Sequence, residues 1–295
     1  GDHRDLHFFP TRRSSDLSCA PNAPDPNEAL GLVAYRRADY AAAVGLLLRA
    51  HRLRPEKTET LLNLGSALRD ARLFDAAETV FSAAISRRPD LREGWLGRAV
   101  TRLVRGDLKN GWEDFEHRWK RPMERPEWDG RRLNGETLLI HAEQGFGDAI
   151  QFALFAPMAA DRGARVVLEV HPALVRLLRR LDPRVEIHPS DRPRPPHDLH
   201  CPIMSLARLF GATLDNPPAP PFYLTPEPTE AAQTAAAVEA ATKSGATVLN
   251  IGLCWAGNPA HKNDHNRSIP AAALADLLDT PGVAFWSLQT GDAAA

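Results

Sequence analysis

Apolar and small residues recur every 34 positions in the first third of the chain, from residue 24 to about residue 118. Small residues suit places where two helices cross closely, a bulky apolar residue fills the space between helices, and proline marks a break between units. The pattern therefore predicts helical hairpins repeated at this period. The positions that carry it are Gly31, Gly65 and Ala99, then Ala43, Ala77 and Gly111, then Leu47, Phe81 and Phe115, and finally Pro55 and Pro89.

These repeats resemble the tetratricopeptide family, most clearly in the stretch LLNLGSALRDARLFDAAETVFSAAISRRP. There are two good copies and a third that loses the pattern after Trp95. The resemblance implies a right-handed array whose concave face holds a peptide or another protein segment. The alternative is that so few repeats serve only as a helical cap or dimer surface for the domain after them. Arg69, Arg72, Arg87 and Arg88 either line such a groove or form a solvated face.

After residue 136 the helical period gives way to short apolar runs that alternate with helical stretches. This alternation predicts a parallel sheet with helices on both faces, which is a Rossmann-like lobe. The runs are TLLIHA at 137–142, RVVLEV at 165–170, VEIHP at 185–189 and DLHCPI at 198–203, with one helix predicted over 149–161. Residues 121–136 hold two prolines and two glycines, so we expect a linker there.

A proline-rich stretch, NPPAPPFYLTPEP at 216–228, predicts an extended connector. Beyond it an alanine-rich helix is followed by TVLNIGLCWAGNP and, near the end, by VAFWSLQ. The alternation of strands and helices has then restarted. We therefore expect the start of a second Rossmann-like lobe.

The predicted fold class is α/β with an all-α N-terminal repeat array. We place the repeats at 18–120, the linker at 121–136, the first lobe at 137–228 and the start of the second lobe at 229–295. Residues 1–17 have neither a helix nor a strand period and look like a translated sequencing adapter, so we expect them to be non-native. We also expect the chain to be truncated at both ends.

Composition narrows the classes of partner. The 295 residues carry 36 basic and 37 acidic side chains, a net charge of −1, so no overall field attracts nucleic acid. The longest apolar run is far shorter than the ~20 residues of a membrane span. Cys19, Cys201 and Cys254 are widely separated, which predicts reduced thiols in a cytoplasmic protein.

The first candidate site is the loop EQGFGD at 143–148, directly after the first predicted strand. Ligands of open α/β sheets bind at the carboxyl ends of strands. Gln144, Gly145 and Gly147 are candidate residues for binding a donor or acceptor. The two glycines would bring the backbone close to a ligand or supply a positive φ, and Asp148 could accept a proton from an attacking hydroxyl. The alternative for Asp148 is an ordinary N-cap of the helix at 149–161.

The second candidate site is the loop from residue 256 to residue 268. The candidate residues in this loop are Asn258, Arg267 and Ser268. Arg267 and Ser268 lie just before a predicted helix that begins at Pro270, and an anion could bind there to the helix N-terminus and the guanidinium group. The His261, Asp264 and His265 side chains of the loop could in principle ligate a metal. We predict none, because polar loops of this kind rarely do.

Several motifs, in order, resemble bacterial proteins in which tetratricopeptide repeats precede a heptosyltransferase-like glycosyltransferase of GT-B fold. They are GWEDFEHRW at 111–119, LLIHAEQGFGDAIQFALFAP, HDLHCPIMSLARL at 197–209 and IGLCWAGNPAHKNDHNRSIP. The protein O-GlcNAc transferases are similar more distantly. The resemblance implies an inverting sugar transfer without a metal or cofactor, in which Asp148 deprotonates the acceptor and Arg267 contacts the diphosphate of a nucleotide-sugar donor. The two lobes would be the N-terminal lobe and the beginning of the C-terminal lobe of that fold.

Two functions from different classes stay open. The first is a glycosyltransferase that is active at full length and inactive as this fragment, with repeats that recruit a peptide or protein acceptor. The second is a non-catalytic tetratricopeptide scaffold with a degenerate GT-B domain.

Overall fold

The computed structural model describes residues 23–143, 145–215, 223–242, 249–259 and 264–290. The chain forms two compact units that divide after Thr225. The first unit holds the repeats and a parallel sheet, and the second holds a two-stranded sheet.

Six helices open the first unit, and consecutive helices pack against each other as three hairpins. The 34-residue pattern therefore does mark helical hairpins, as predicted. The third hairpin is present beyond Trp95, where the pattern was expected to end, although its second helix has only eight residues. The helices are α1 (Pro24–Arg36), α2 (Tyr40–Leu53), α3 (Thr58–Asp70), α4 (Phe74–Arg87), α5 (Arg92–Arg105) and α6 (Leu108–Phe115).

Phe81 shows why small residues recur in this array. Its ring is 1% exposed and lies between α3 and α5. A Cβ atom added at Gly65 would lie 2.8 Å from the ring, and one added at Gly97 would also overlap it. The bulky residue of one helix thus requires glycines on both neighbouring helices, and this fixes the helix spacing.

The third hairpin replaces apolar packing by buried charge. Thirty-four positions after Leu64, Leu68 and Val80 the sequence has Arg98, Arg102 and Asp114. The Asp114 carboxylate, in a residue 4% exposed, accepts hydrogen bonds from Arg98 Nε (2.7 Å) and Nη2 (2.9 Å) and from Arg102 Nη1 (2.9 Å). The helical period survives because Asp114 and Glu78 of α4, which accepts from Arg102 Nε (2.8 Å), together balance the two guanidinium charges.

Asp114→Asn should destabilise the protein by about 3–5 kcal/mol, because it leaves the Arg98 guanidinium group packed without a carboxylate and Arg102 with Glu78 alone. The triple variant Arg98→Leu, Arg102→Leu, Asp114→Val copies the second hairpin and should be as stable as the wild type or more so. Urea unfolding followed by circular dichroism measures both. Asp25→Asn, which removes an exposed ion pair with Arg54, is the control and should leave the midpoint nearly unchanged. A triple variant weaker than Asp114→Asn would contradict this account.

Residues 121–136 are not a free linker. Trp128 and Leu133 are 2% and 4% exposed and belong to the core of the sheet. The backbone N–H of Trp128 donates to the His200 carbonyl (2.8 Å), and the backbone N–H of Leu133 donates to the Arg162 carbonyl (2.7 Å). The burial of Trp128 and Leu133 could not be predicted from the sequence, because isolated apolar residues between prolines and glycines show no helix or strand period.

The sheet of the first unit has four parallel strands in the order β3-β2-β1-β4, which confirms the predicted parallel sheet. Its strands are β1 (Thr137–His141), β2 (Arg165–Val170), β3 (Val185–Pro189) and β4 (Leu199–Pro202). The helices that follow β1 and β2 are α7 (Phe146–Ala153), α8 (Phe155–Asp161) and α9 (Pro172–Leu178), and α10 (Leu206–Leu209) follows β4. That these strands form a GT-B lobe stays a prediction.

The two faces of the sheet differ in polarity. Leu138, Ile140 and Leu168 point into an apolar core that also contains Phe152 and Phe155 of the covering helices. Side chains alternate between faces along a strand, so the other face carries Leu139 together with His141, Glu169 and His200. The side chains of His141, Glu169 and His200 on this face are polar and buried.

The predicted helix over 149–161 is instead two helices. It starts earlier, at Phe146, and it breaks at Leu154. Pro157 has no N–H to donate to the Ala153 carbonyl, so the ladder of α7 stops there. The prediction of a single helix was wrong, because Pro157 lies within it and interrupts the hydrogen-bond ladder.

The second unit contains α11 (Pro228–Ala241), the parallel strands β5 (Leu249–Leu253) and β6 (Val283–Ser287), and α12 (Ala275–Leu278). The helix predicted from Pro270 is a 3₁₀ turn at 271–274 followed by α12. None of the described residues of this unit is buried. Its identity as a second Rossmann-like lobe stays a prediction. In the described parts of both units, no helix has the length and apolar character to cross a membrane.

Candidate functional site

The carboxyl edge of the four-stranded sheet has the geometry of a ligand site. Strand order reverses at β1, because β2 and β3 follow on one side and β4 lies on the other. Open α/β sheets bind ligands in the crevice that forms at such a reversal. The predicted residues 145–148 follow β1 at this edge.

Asp148 lies in the first turn of α7 and is half-buried. The N-cap of α7 is Gly145, so the alternative that Asp148 caps a helix starting at residue 149 is wrong. A carboxylate in the first turn complements the partial positive charge of the helix N-terminus. Asp148 is therefore placed at the carboxyl edge of the sheet, at the start of α7, and its role as a base stays a prediction.

The two glycines of this loop do not supply unusual backbone angles. Gly145 has φ −68° and ψ 155°, and Gly147 has no positive φ either. That part of the expectation is wrong. Both residues are exposed, and a Cβ atom at Gly147 would meet no other atom within 4 Å. The backbone there is open to approach, as the first expectation required, while Gln144 lies outside the described residues.

The second predicted loop belongs to the second unit. Ser268 is used internally: its Oγ donates to Asp264 Oδ1 (2.7 Å) and accepts from the Gly257 N–H (2.9 Å). Arg267 and Asn258 are exposed. The helix expected to receive an anion is a four-residue 3₁₀ turn followed by the four-residue α12, so its N-terminus is weaker than predicted.

His261 lies outside the described residues, and His265 is described only in its backbone. Among the described side chains, no group of three His, Cys, Asp or Glu is arranged to hold a metal ion. Cys201 and Cys254 are free thiols, the first buried and the second exposed, and burial raises the pKa of Cys201 well above its usual value.

Sequence reasoning missed an ion-pair network at the reversal of strand order. Arg118, just after α6, makes two parallel hydrogen bonds to Glu143, each 2.8 Å, and a third to Ser205 Oγ at 2.9 Å. Glu116 bonds Lys120 and accepts from Ser205 Oγ. Two of these residues lie in the motif GWEDFEHRW, whose only sequence signal was its part in the resemblance.

A second missed feature is a pair of buried histidines on the polar face of the sheet. His141 Nε2 lies 3.3 Å from His200 Nδ1, and the two residues are 1% and 6% exposed. Burial, reinforced by the neighbouring His200, Arg121 and Arg194, lowers the pKa of His141 to about 3, and burial also lowers the pKa of His200. Both rings are neutral at pH 7.

Close by, the Glu169 carboxylate, in a residue 2% exposed, is bonded by Arg194 Nε (2.6 Å) and Arg121 Nη1 (3.3 Å). These arginines come from two proline-containing segments, and a cavity of about 430 Å³ lies between residues 122–125 and 194–197. Glu169 thus ties both segments to the end of β2.

Stability should fall as the pH drops below about 6.5, the ordinary pKa of a histidine in an unfolded chain. Between that pH and the folded pKa of about 3, His141 is neutral in the folded protein and gains a proton on unfolding, so a lower pH favours the unfolded state. At pH 4 this residue should account for about 3 kcal/mol of lost stability. We expect urea unfolding at pH 7 and pH 4 to show a smaller loss in His141→Gln, which cannot titrate, than in the wild type.

The control for this experiment is Thr79→Ala, which replaces an exposed side chain that has no ionisable group. It should leave the difference between pH 7 and pH 4 as in the wild type. Equal losses in His141→Gln and the wild type would contradict the assignment.

Helical hairpins of 34-residue period joined to a parallel α/β sheet define the class of this chain. No protein-family model matches it. The chain is similar to FlbA of Caulobacter vibrioides, with 27% identity over 316 aligned positions that cover 94% of this chain and 50% of FlbA. It thus spans about half the length of this curated relative.

Among solved structures, the chain is similar to an Arabidopsis OM64 TPR domain, with 22% identity, a TM-score of 0.32 and coverage of 32% of this chain and 78% of that one. It is also similar to MamA MSR-1, with 24% identity, a TM-score of 0.33 and coverage of 35% and 59%. The chain is also similar to YrrB, a TPR protein, with 22% identity, a TM-score of 0.32 and coverage of 32% of this chain and 49% of that one. At these scores the assignment of the repeats rests on the three hairpins themselves.

Proposed function

We propose that the repeat array binds an extended protein segment along the face formed by the first helices of its hairpins. The observation that carries this proposal is the packing of α3. This helix contacts α2 and α4 and also its equivalents α1 and α5. The residues of α3 that are not buried, at 59, 63, 66, 69 and 70, lie along one face, which therefore stays open. The first helices therefore form the inner layer of the array, with one continuous surface across three helices.

The open face of α3 is polar. Asn63, Ser66 and Asp70 are spaced three and four residues apart and are half-buried, whereas the intervening leucines are buried. Asn63 Nδ2 donates to Glu28 of α1, and the Tyr35 hydroxyl of α1 donates to Asp70. These bonds hold α1 and α3 in register. An amide and a hydroxyl on a rigid surface suit the backbone of an extended peptide.

The equivalent face of α5 is apolar. Val100 and Val104 lie 34 positions after Ser66 and Asp70, and Val104 is 62% exposed. A partner segment with one apolar side chain followed by polar residues would satisfy both parts of the groove. The proposed partner is therefore an amphipathic, extended segment.

Ser66→Arg and Val104→Asp should each weaken binding of such a segment at least tenfold, because the first fills the groove and the second places a charge on its apolar end. The segment is selected from a random 12-residue peptide library on the whole chain, and its affinity is then measured by fluorescence anisotropy. Thr79→Ala, on the exposed outer helix α4, is the matched control and should bind normally. Binding that survives both groove substitutions would reject the proposal.

We also propose, as a second function, that the α/β part contributes to sugar transfer from a nucleotide-sugar donor. It is supported by the position of Asp148 at the carboxyl edge, where strand order reverses. Asp148 takes the proton of an acceptor hydroxyl, the hydroxyl oxygen bonds to the anomeric carbon, and the bond from that carbon to the diphosphate breaks with inversion. Independently of Asp148, we propose that Arg267, an exposed arginine of the second unit, binds a diphosphate group.

This second proposal predicts that the chain binds uridine diphosphate in a calorimetric titration and that Arg267→Ala weakens the binding at least tenfold. Arg52→Ala, at an exposed arginine on α2, should leave the affinity unchanged. Absence of binding by the folded chain would reject Arg267 as a ligand of the diphosphate.

A further inference from the structure

Arg118 lies just after the last repeat helix, yet its side chain belongs to the sheet. It is 7% exposed and its guanidinium group stacks over the ring of Phe115 with 4.9 Å between the Arg118 Cζ atom and the ring centroid. Nε and Nη2 each donate to a different oxygen of Glu143, and Nη2 also donates to Ser205 Oγ. Two parallel charge-assisted bonds fix both the distance and the orientation of the carboxylate.

Glu143 has a further partner at the end of β4. Its Oε2 atom accepts from the Met204 N–H (3.1 Å), and its side chain is 12% exposed. Glu143 therefore connects the carboxyl ends of β1 and β4, the two strands between which the order reverses. A carboxylate this deeply placed needs its cation, because an unpaired buried charge is costly.

Only two residues separate Glu143 from α7, which starts at Phe146. The far end of the segment is fixed as well, because Ala149 and Phe152 of α7 are buried in the core. We infer that Arg118 is a positioning residue: by holding Glu143 it fixes the start of α7 two residues further on and hence the place of Asp148 at the carboxyl edge. The inference deepens the second proposed function, on which its value for catalysis rests, and its geometry is independent of any ligand.

Arg118→Met should raise the hydrogen-exchange rates of the amides of residues 149–153 at least tenfold, because one end of the segment is released. Exchange is measured by mass spectrometry on the whole chain without ligand, so the result is separate from the outcome of the nucleotide titration. Exchange in α3 and β2 should stay as in the wild type. Arg118→Lys, which keeps the charge but loses the paired bonds, should give an intermediate rate.

The double variant Arg118→Met, Glu143→Met separates positioning from a merely structural role. It removes the unpaired carboxylate, so the urea midpoint should recover towards the wild type, while exchange at 149–153 stays raised because the connection is gone. It also serves if Arg118→Met alone does not fold.

Arg162→Met is the matched control. Arg162 also stacks on an aromatic ring, Phe210, and donates to the Gly130 carbonyl, away from Glu143. It should leave exchange at 149–153 unchanged. Wild-type exchange at 149–153 in Arg118→Met, or a rate that rises equally in α3 and β2, would overturn the inference.

Discussion

The pairing of Arg118 with Glu143 is the interaction on which the first unit depends. It brings together the segment after the last repeat helix, the end of β1 and the turn after β4. Because both side chains are nearly inaccessible to water, neither charge can be solvated in place of its partner. The repeats and the sheet share one compact unit, and this pair joins them together with the edge-to-face contact of Trp112 on Phe152.

The repeats show how a fold can keep its period while its packing changes in kind. In the first two hairpins, bulky side chains such as Leu47 and Phe81 fill the space left by small residues. In the third, Asp114 and its two arginines occupy positions equivalent to apolar ones, and both carboxylate oxygens accept bonds from the guanidinium groups. Helix geometry depends on the volume and satisfaction of these groups, so a charged triad can stand where apolar side chains stood.

Much of the fold could be predicted from sequence, because periodicity reports which faces are buried. The strands at 165–170 and 185–189 have the bounds expected from their apolar runs. The break at Leu154 and the burial of Trp128 were missed, since one depends on a single absent N–H and the other on partners far along the chain. The paired histidines and the Arg118–Glu143 bonds were missed for the same reason. Strand order brings these residues together, and a local sequence pattern does not predict strand order.

The distances along the chain between bonded residues have a consequence for how the protein folds. Bonds between hairpins, such as those of Glu28 and Tyr35, join residues 29 to 35 positions apart. The bond from Arg118 to Ser205 spans 87 positions. Short loops close at lower entropic cost than long ones, so the hairpins can form one after another while the chain is still largely open. The carboxyl edge of the sheet is then completed last, onto a repeat array that already exists.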